Sequence, residues 1–307
     1  MNSITRKLVL SILTVVLTVV ALGTTTFAWF TLTNTATVQP FQANITADTG
    51  IEVALGIPVV GEEDELNWVT TLTTAVINDY ITEEYGAFTF SHVTTSDGVN
   101  FKTLGTSAMT TATGGYLEIP INFRSNSATS INWTAVSLTS GVQQWQADVD
   151  FVGASGTAYT SGDMVNFDAA DAFRIAILGT VGGLSNIVTY ERPYDLVNAP
   201  HNVVLDGDGA EQNLANGVAT GEGDQGAMNY YFAKSNALPW GADAVTVLNT
   251  IQSIASEPVV SLTASTTAGA ANYGQIMIRI WLEGWDANAY NLILGEMITV
   301  SFEFTGA

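Results

Sequence analysis

The 307-residue chain contains no cysteine. Disulfides are therefore excluded, as is any thiolate nucleophile or metal ligand. Cationic residues are scarce too: eight Lys and Arg stand against 29 Asp and Glu, for a formal charge of −21. Nothing here could neutralise a run of phosphates, which excludes nucleic acid as a partner. Histidine occurs only as His92 and His201. Neither HExxH nor GxSxG is present, so the common zinc-peptidase site and the hydrolase nucleophile elbow are not expected, and both histidines read as ordinary loop or surface residues. A triad assembled from distant segments is the hydrolytic arrangement that sequence would hide. With no GxxxxGK[ST], and no GxGxxG read between a strand and a helix, the usual phosphate cradles are not expected either. Charged residues amount to 12 % of the chain against 47 % hydrophobic ones, which is too apolar for a disordered acidic tail.

At the N-terminus, Arg6 and Lys7 precede residues 8–22, all apolar except Ser11, Thr14 and Thr18. A short basic region before an apolar core of this length has the make-up of a secretory signal. Gly23, Thr24, Thr25 and Thr26 follow, and Thr26-Phe27-Ala28 approximates the small-x-small pattern of a cleavage site, placing the cut after Ala28. The alternative is an uncleaved anchor, because no charged residue occurs between Lys7 and Asp48 and a span needs only ~20 mostly apolar residues. Residues 1–28 carry two basic and no acidic side chains, so the remaining 279 residues hold 6 Lys and Arg against 29 Asp and Glu, a charge of −23. That length suits one large domain able to bury a core without covalent staples. Its acidity favours solubility and cation binding.

Thr, Val, Ile, Gly and aromatics dominate, with turn signals every ten to fifteen residues. The expected fold is all-β: a jelly-roll-like antiparallel β-sandwich over residues 41–307, with inserted loops and one or two short helices, behind the hydrophobic signal helix. Phe41, Ala43, Ile45 and Ala47 alternate with polar residues, and Asp48-Thr49-Gly50 leads into Ile51, Val53 and Leu55. This pattern predicts a hairpin. Leu117, Ile119, Ile121 and Phe123 alternate likewise around Pro120, which predicts an edge strand or a bulge because proline cannot donate to a ladder. Residues 173–178 read as a short buried strand. Ile276, Ile278, Ile280 and Leu282 share one face of a strand, as do Ile298, Val300, Phe302 and Phe304. Insertions are expected near residues 60–90 and 200–256, with helices within 66–85 and 242–255 and a Gly- and Asp-rich loop over 205–226. No fixed-period repeat is visible, which excludes a solenoid.

Two side-chain groups carry candidate chemistry. Asp206, Asp208 and Glu211 place carboxylates on the glycine-rich loop, with Glu222 and Asp224 close behind. Hard oxygen ligands on such a loop suit Ca²⁺, although the spacing is not that of an EF-hand; a merely solvated acidic loop is the alternative. No other cofactor is expected. Strand parity puts Trp281 opposite the isoleucines, with Trp285 at the same parity. An outward tryptophan beside Arg279 could be an intersubunit contact or a polysaccharide-stacking platform, unless inserted elements cover that face.

The TTTFAWF boundary, residues 24–30, resembles the TasA/camelysin family of exported bacterial matrix proteins, and IRIWLEGWD at 278–286 with the alternating strand that closes the chain is similar to a broad set of exported bacterial surface proteins grouped near it. The resemblance covers roughly the first forty and last thirty residues. It implies a secreted or cell-surface jelly-roll subunit that polymerises into extracellular fibres of a biofilm matrix, each copy donating its N-terminal segment as a strand to the next. Some relatives carry a metallopeptidase label, for which this chain has no zinc motif. Residues 29–40 suit the donor role, being uncharged and threonine-rich, with Trp29, Phe30 and Leu32 as apolar anchors and Val38 near the end. The expected partner is thus the chain itself. The membrane enters only through the segment before cleavage, and a carbohydrate-binding or adhesion module is the rival reading.

Overall fold

The computed structural model describes residues 42–47, 50–104, 109–193, 225–236, 248, 250–268 and 271–307. Trp29, Phe30, Leu32 and Val38 of the expected donor segment, and Asp206, Asp208 and Glu211 of the expected calcium loop, lie outside the described residues. In chain order the first elements are β1 (Gln42–Ala47), β2 (Ile51–Leu55), β3 (Thr71–Leu72), helix α1 (Thr74–Tyr85), β4 (His92–Thr95), β5 (Phe101–Leu104) and β6 (Met109–Thr111). Next come β7 (Leu117–Ser125), β8 (Ser130–Thr139), β9 (Val142–Gln146), β10 (Phe151–Val152), β11 (Ala158–Tyr159) and β12 (Met164–Asp168). β13 (Phe173–Val181), β14 (Leu184–Tyr190), helix α2 (Ala227–Ser235), β15 (Glu257–Ser261), β16 (Thr263–Ala264), β17 (Asn272–Glu283) and β18 (Thr299–Gly306) complete the order.

Two main sheets face each other in an all-β sandwich. The first has the order β15-β8-β18-β1-β3. The second is built on β17, flanked on one side by β16 and then β13, and on the other by β7 and then β4. β14 extends it beyond β13, β2 beyond β7, and β5 and β6 beyond β4. Alternation explains why these strands face inward. Ile276, Ile278, Ile280 and Leu282 of β17 meet Ile298, Val300, Phe302 and Phe304 in one core, and all eight are buried. Phe123 of the second sheet packs edge-on against Phe304 of the first, ring centroids 5.1 Å apart. α1 follows the helical rule, burying Ile77 and Ile81 four residues apart.

Three expectations are corrected. β1 and β2 do not form a hairpin: β1 lies in the first sheet, parallel to β18 from Gln42↔Thr299 to Ala47↔Phe304, whereas β2 pairs with β7 in the second. The short link through Gly50, which has a positive φ of 89°, therefore crosses between sheets. β7 is an interior strand with β17 on one side and β2 on the other. Pro120 is accommodated because its carbonyl accepts from the Gly56 N–H at 3.1 Å, on the β2 side. Since a strand residue's N–H and C=O point the same way, the missing donor costs β17 no bond. Third, the sheets are mixed, for β4 also runs parallel to β17. The helix expected within 66–85 is α1, whereas residues 250–255 of the one expected at 242–255 are not helical. α2 lies outside both expected helical segments, although Gly226 before it and the left-handed Asn236 after it are recognisable helix boundaries.

Candidate functional site

The segment that closes β17, residues 281–290, carries the densest chemistry of the described chain. Trp281 and Trp285 are 1 % and 0 % exposed, which corrects the expectation of an outward platform. Trp281 does project from the face opposite the isoleucines, but that face is covered: it packs with Val93, Phe101 and Ala176 in a second, small core. Neither ring is accessible to a sugar or to another subunit. The fold uses both for packing.

Glu283 organises the turn that follows. Its carboxylate accepts from Trp281 Nε1 at 3.1 Å and from the Trp285 backbone N–H at 3.3 Å. Asp286 accepts from the Asn288 N–H at 2.7 Å and pairs with Arg174 Nη2 at 2.7 Å. Arg174, 2 % exposed, also meets Glu191 through Nε at 2.6 Å. Beside this group Arg192 pairs with Asp168 at 2.9 Å and Asp171 at 2.8 Å, and Ser140 donates to Asp168. Four carboxyls thus pair with two guanidinium groups, and Glu283 lies within the field of Arg174. Burial pushes the Glu283 carboxyl up to about 7 and that of Asp286 up to about 6, because Arg174 only partly offsets the loss of water. His92 is half-buried beside the same turn. Burial lowers its ring to about 4, and its Nε2 donates to the Ala289 carbonyl at 3.1 Å.

This arrangement locks a turn rather than exposing a reactive group. Among the described residues no group of three or more His, Asp or Glu side chains is placed so that it could hold a metal ion. Residues 221–226, GEGDQG, match GxGxxG and lead directly into α2. The match does not make a phosphate cradle, because the first helical amide, that of Ala227, already donates to the Ala287 carbonyl at 2.8 Å. A Cβ on Gly226 would strike that carbonyl, so glycine is needed there for backbone packing.

Sheet edges are the other candidate surface. β14 is the outermost strand of the second sheet; at its end Ile251 bridges Tyr190, while Leu184 near its start is exposed. β3 is one of the two outermost strands of the first, β15 being the other. No helix among the described residues is long and apolar enough to cross a membrane. No family model matches the sequence, and comparison with curated proteins and with solved structures found no match.

Proposed function

We propose that this chain is a structural subunit of an extracellular filament or surface matrix, polymerising as residues 29–38 of one copy add a strand to the next. The observation that carries the reading is the placement of β1. A strand at the start of the described chain lies parallel to β18 with six paired positions and continues directly into the opposite sheet. Residues preceding such a strand need not fold back on their own domain, and an uncharged β-prone segment there can complete the edge of another copy. On this reading the body is a jelly-roll-like donor and acceptor, the chain is exported and cut after Ala28, and it is not an enzyme. Burial of Trp281 and Trp285 removes the platform on which a polysaccharide-binding module would have rested.

A chain beginning at Gln39 should remain a folded β monomer and fail to polymerise, whereas a chain beginning at Trp29 should form filaments visible by negative-stain microscopy. Filaments of unchanged diameter and repeat from the shortened chain would sink the donor-strand mechanism. Export is checked separately by N-terminal sequencing of the secreted protein, which should start at Trp29. Retention of Arg6 and Lys7 with membrane partitioning would favour the anchor instead.

A further inference from the structure

A groove of about 260 Å³ opens at the β3 edge of the first sheet. Leu55, Val69 and Leu72 form its apolar floor, and α1 forms one wall with Val76, Asp79, Tyr80 and Glu83. Helical spacing explains the wall: these four positions share a face adjoining the one that buries Ile77 and Ile81. The loop joining two lining residues, Leu55 and Asn67, holds Ile57, Val59 and Val60 in solvent, Val60 at 95 % exposure. With Val76, this neighbourhood contains four of the eleven exposed large hydrophobic residues of the described chain. Scattered exposed apolar residues need no explanation, but a cluster around a concave site marks a contact surface. At 260 Å³ the groove is smaller than the roughly 300–1,000 Å³ typical of small-molecule sites. It suits one or two side chains of an extended segment.

Charge narrows the occupant. Asp79 and Glu83 stand on the groove wall, and no ion pair with either occurs among the described residues. Glu62, Glu63, Asp64 and Glu65 lie on the loop between Leu55 and Asn67, with Asp64 at 3.7 Å from Arg124, so the wall and the adjoining loop are net acidic and would repel an acidic partner surface. The body of a second copy is itself strongly acidic. Residues 29–38 of that copy carry no charged side chain, and cleavage after Ala28 would create one cation there, the α-ammonium of Trp29. Residues 29–41 span at most about 45 Å when extended, comparable with the diameter of a domain this size, so they can reach a neighbour. We infer that the β3–α1 groove receives the start of a neighbouring copy's N-terminal segment, with the Trp29 indole on the apolar floor and its ammonium paired with Asp79 or Glu83. This rests on the donor-strand reading above and adds to it the acceptor site and a reason for cleavage: the uncut chain has no ammonium at this position.

The test uses the chain beginning at Trp29. Asn67 on the groove lining is replaced by p-benzoylphenylalanine, isotope-labelled and unlabelled copies are mixed, and crosslinked peptides from assembled filaments are identified by mass spectrometry. Expected are crosslinks to residues 29–32 of a different copy. V76D, at a position 40 % exposed and so tolerant of charge in the folded monomer, should raise the critical concentration at least ~10-fold by putting charge against the indole. The pair D79N/E83Q should raise it roughly two- to fivefold, as for a surface ion pair, and one glycine added before Trp29 should act similarly. Crosslinks elsewhere, or unchanged assembly of both variants, would overturn the groove assignment while leaving the donor strand intact if the chain beginning at Gln39 still fails to assemble. Assembly of that shortened chain would overturn both. Should V76D fail to fold, judged by its melting curve, the crosslinks and D79N/E83Q decide.

Discussion

Glu283 shows how a residue that reads as surface acid becomes part of the interior. It accepts two N–H groups, from Trp281 and Trp285, and has Arg174 nearby, yet burial still holds its carboxyl near 7. The folded state therefore binds a proton that the unfolded chain releases between about pH 4.5 and 7. Stability from this site is present below that window and lost as pH rises through it. His92 works the other way, its ring being lowered from 6.5 to about 4, so it withdraws stability as pH falls through that range. We predict that Glu283→Gln, which removes the titrating group and keeps an acceptor for one of the two donors, gains melting temperature relative to wild type between pH 5 and pH 8. A difference independent of pH would show that Glu283 does not titrate there. Strand parity placed Trp281 correctly on the face opposite Ile280, but parity says nothing about what lies over a face. Only Val93, Phe101 and Ala176, brought from three other strands or their ends, close it.

At the scale of elements, pattern was legible and partnership was not. The alternation of β17 and β18 identified their buried faces, because a half-buried strand must repeat every second residue. The same alternation on β1 and β2 predicted a hairpin, since neighbouring strands usually pair; instead each belongs to a different sheet. Ile45 on β1 is 1 % exposed in the common core, and Leu184 on β14 is 74 % exposed at an outer edge. Truncating Ile45→Ala should cost about 2–5 kcal/mol by leaving a cavity. Leu184→Lys should stay within about 0.5 kcal/mol of wild type. Urea denaturation of both variants checks the contrast, and equal losses would mean that β1 is not seated in the core as described or that β14 is covered.

For the whole molecule, acidity is the governing property. The full chain carries −21, or −23 if residues 1–28 are removed as proposed, so copies repel one another at low ionic strength, and the proposed assembly would rely on segments without charge, on screening, or on bound cations. Asp206, Asp208 and Glu211 lie outside the described residues and remain the proposed calcium ligands. If they bind the ion only in the folded chain, the melting temperature should climb with calcium concentration and fall in chelator. Superimposable melting curves in chelator and millimolar calcium would leave that loop merely solvated.

The sequence by itself determined the all-β class and the inward faces of the strands, because composition and a two-residue period act locally and need no knowledge of which strands pair. Tertiary structure alone decided which strands pair, that Pro120 sits inside a sheet, and that Trp281 is covered. It also joined Arg174 to Asp286, 112 residues away. Non-local contacts of this kind depend on how strands are ordered across two sheets, and the chain's alternation is equally compatible with several orders.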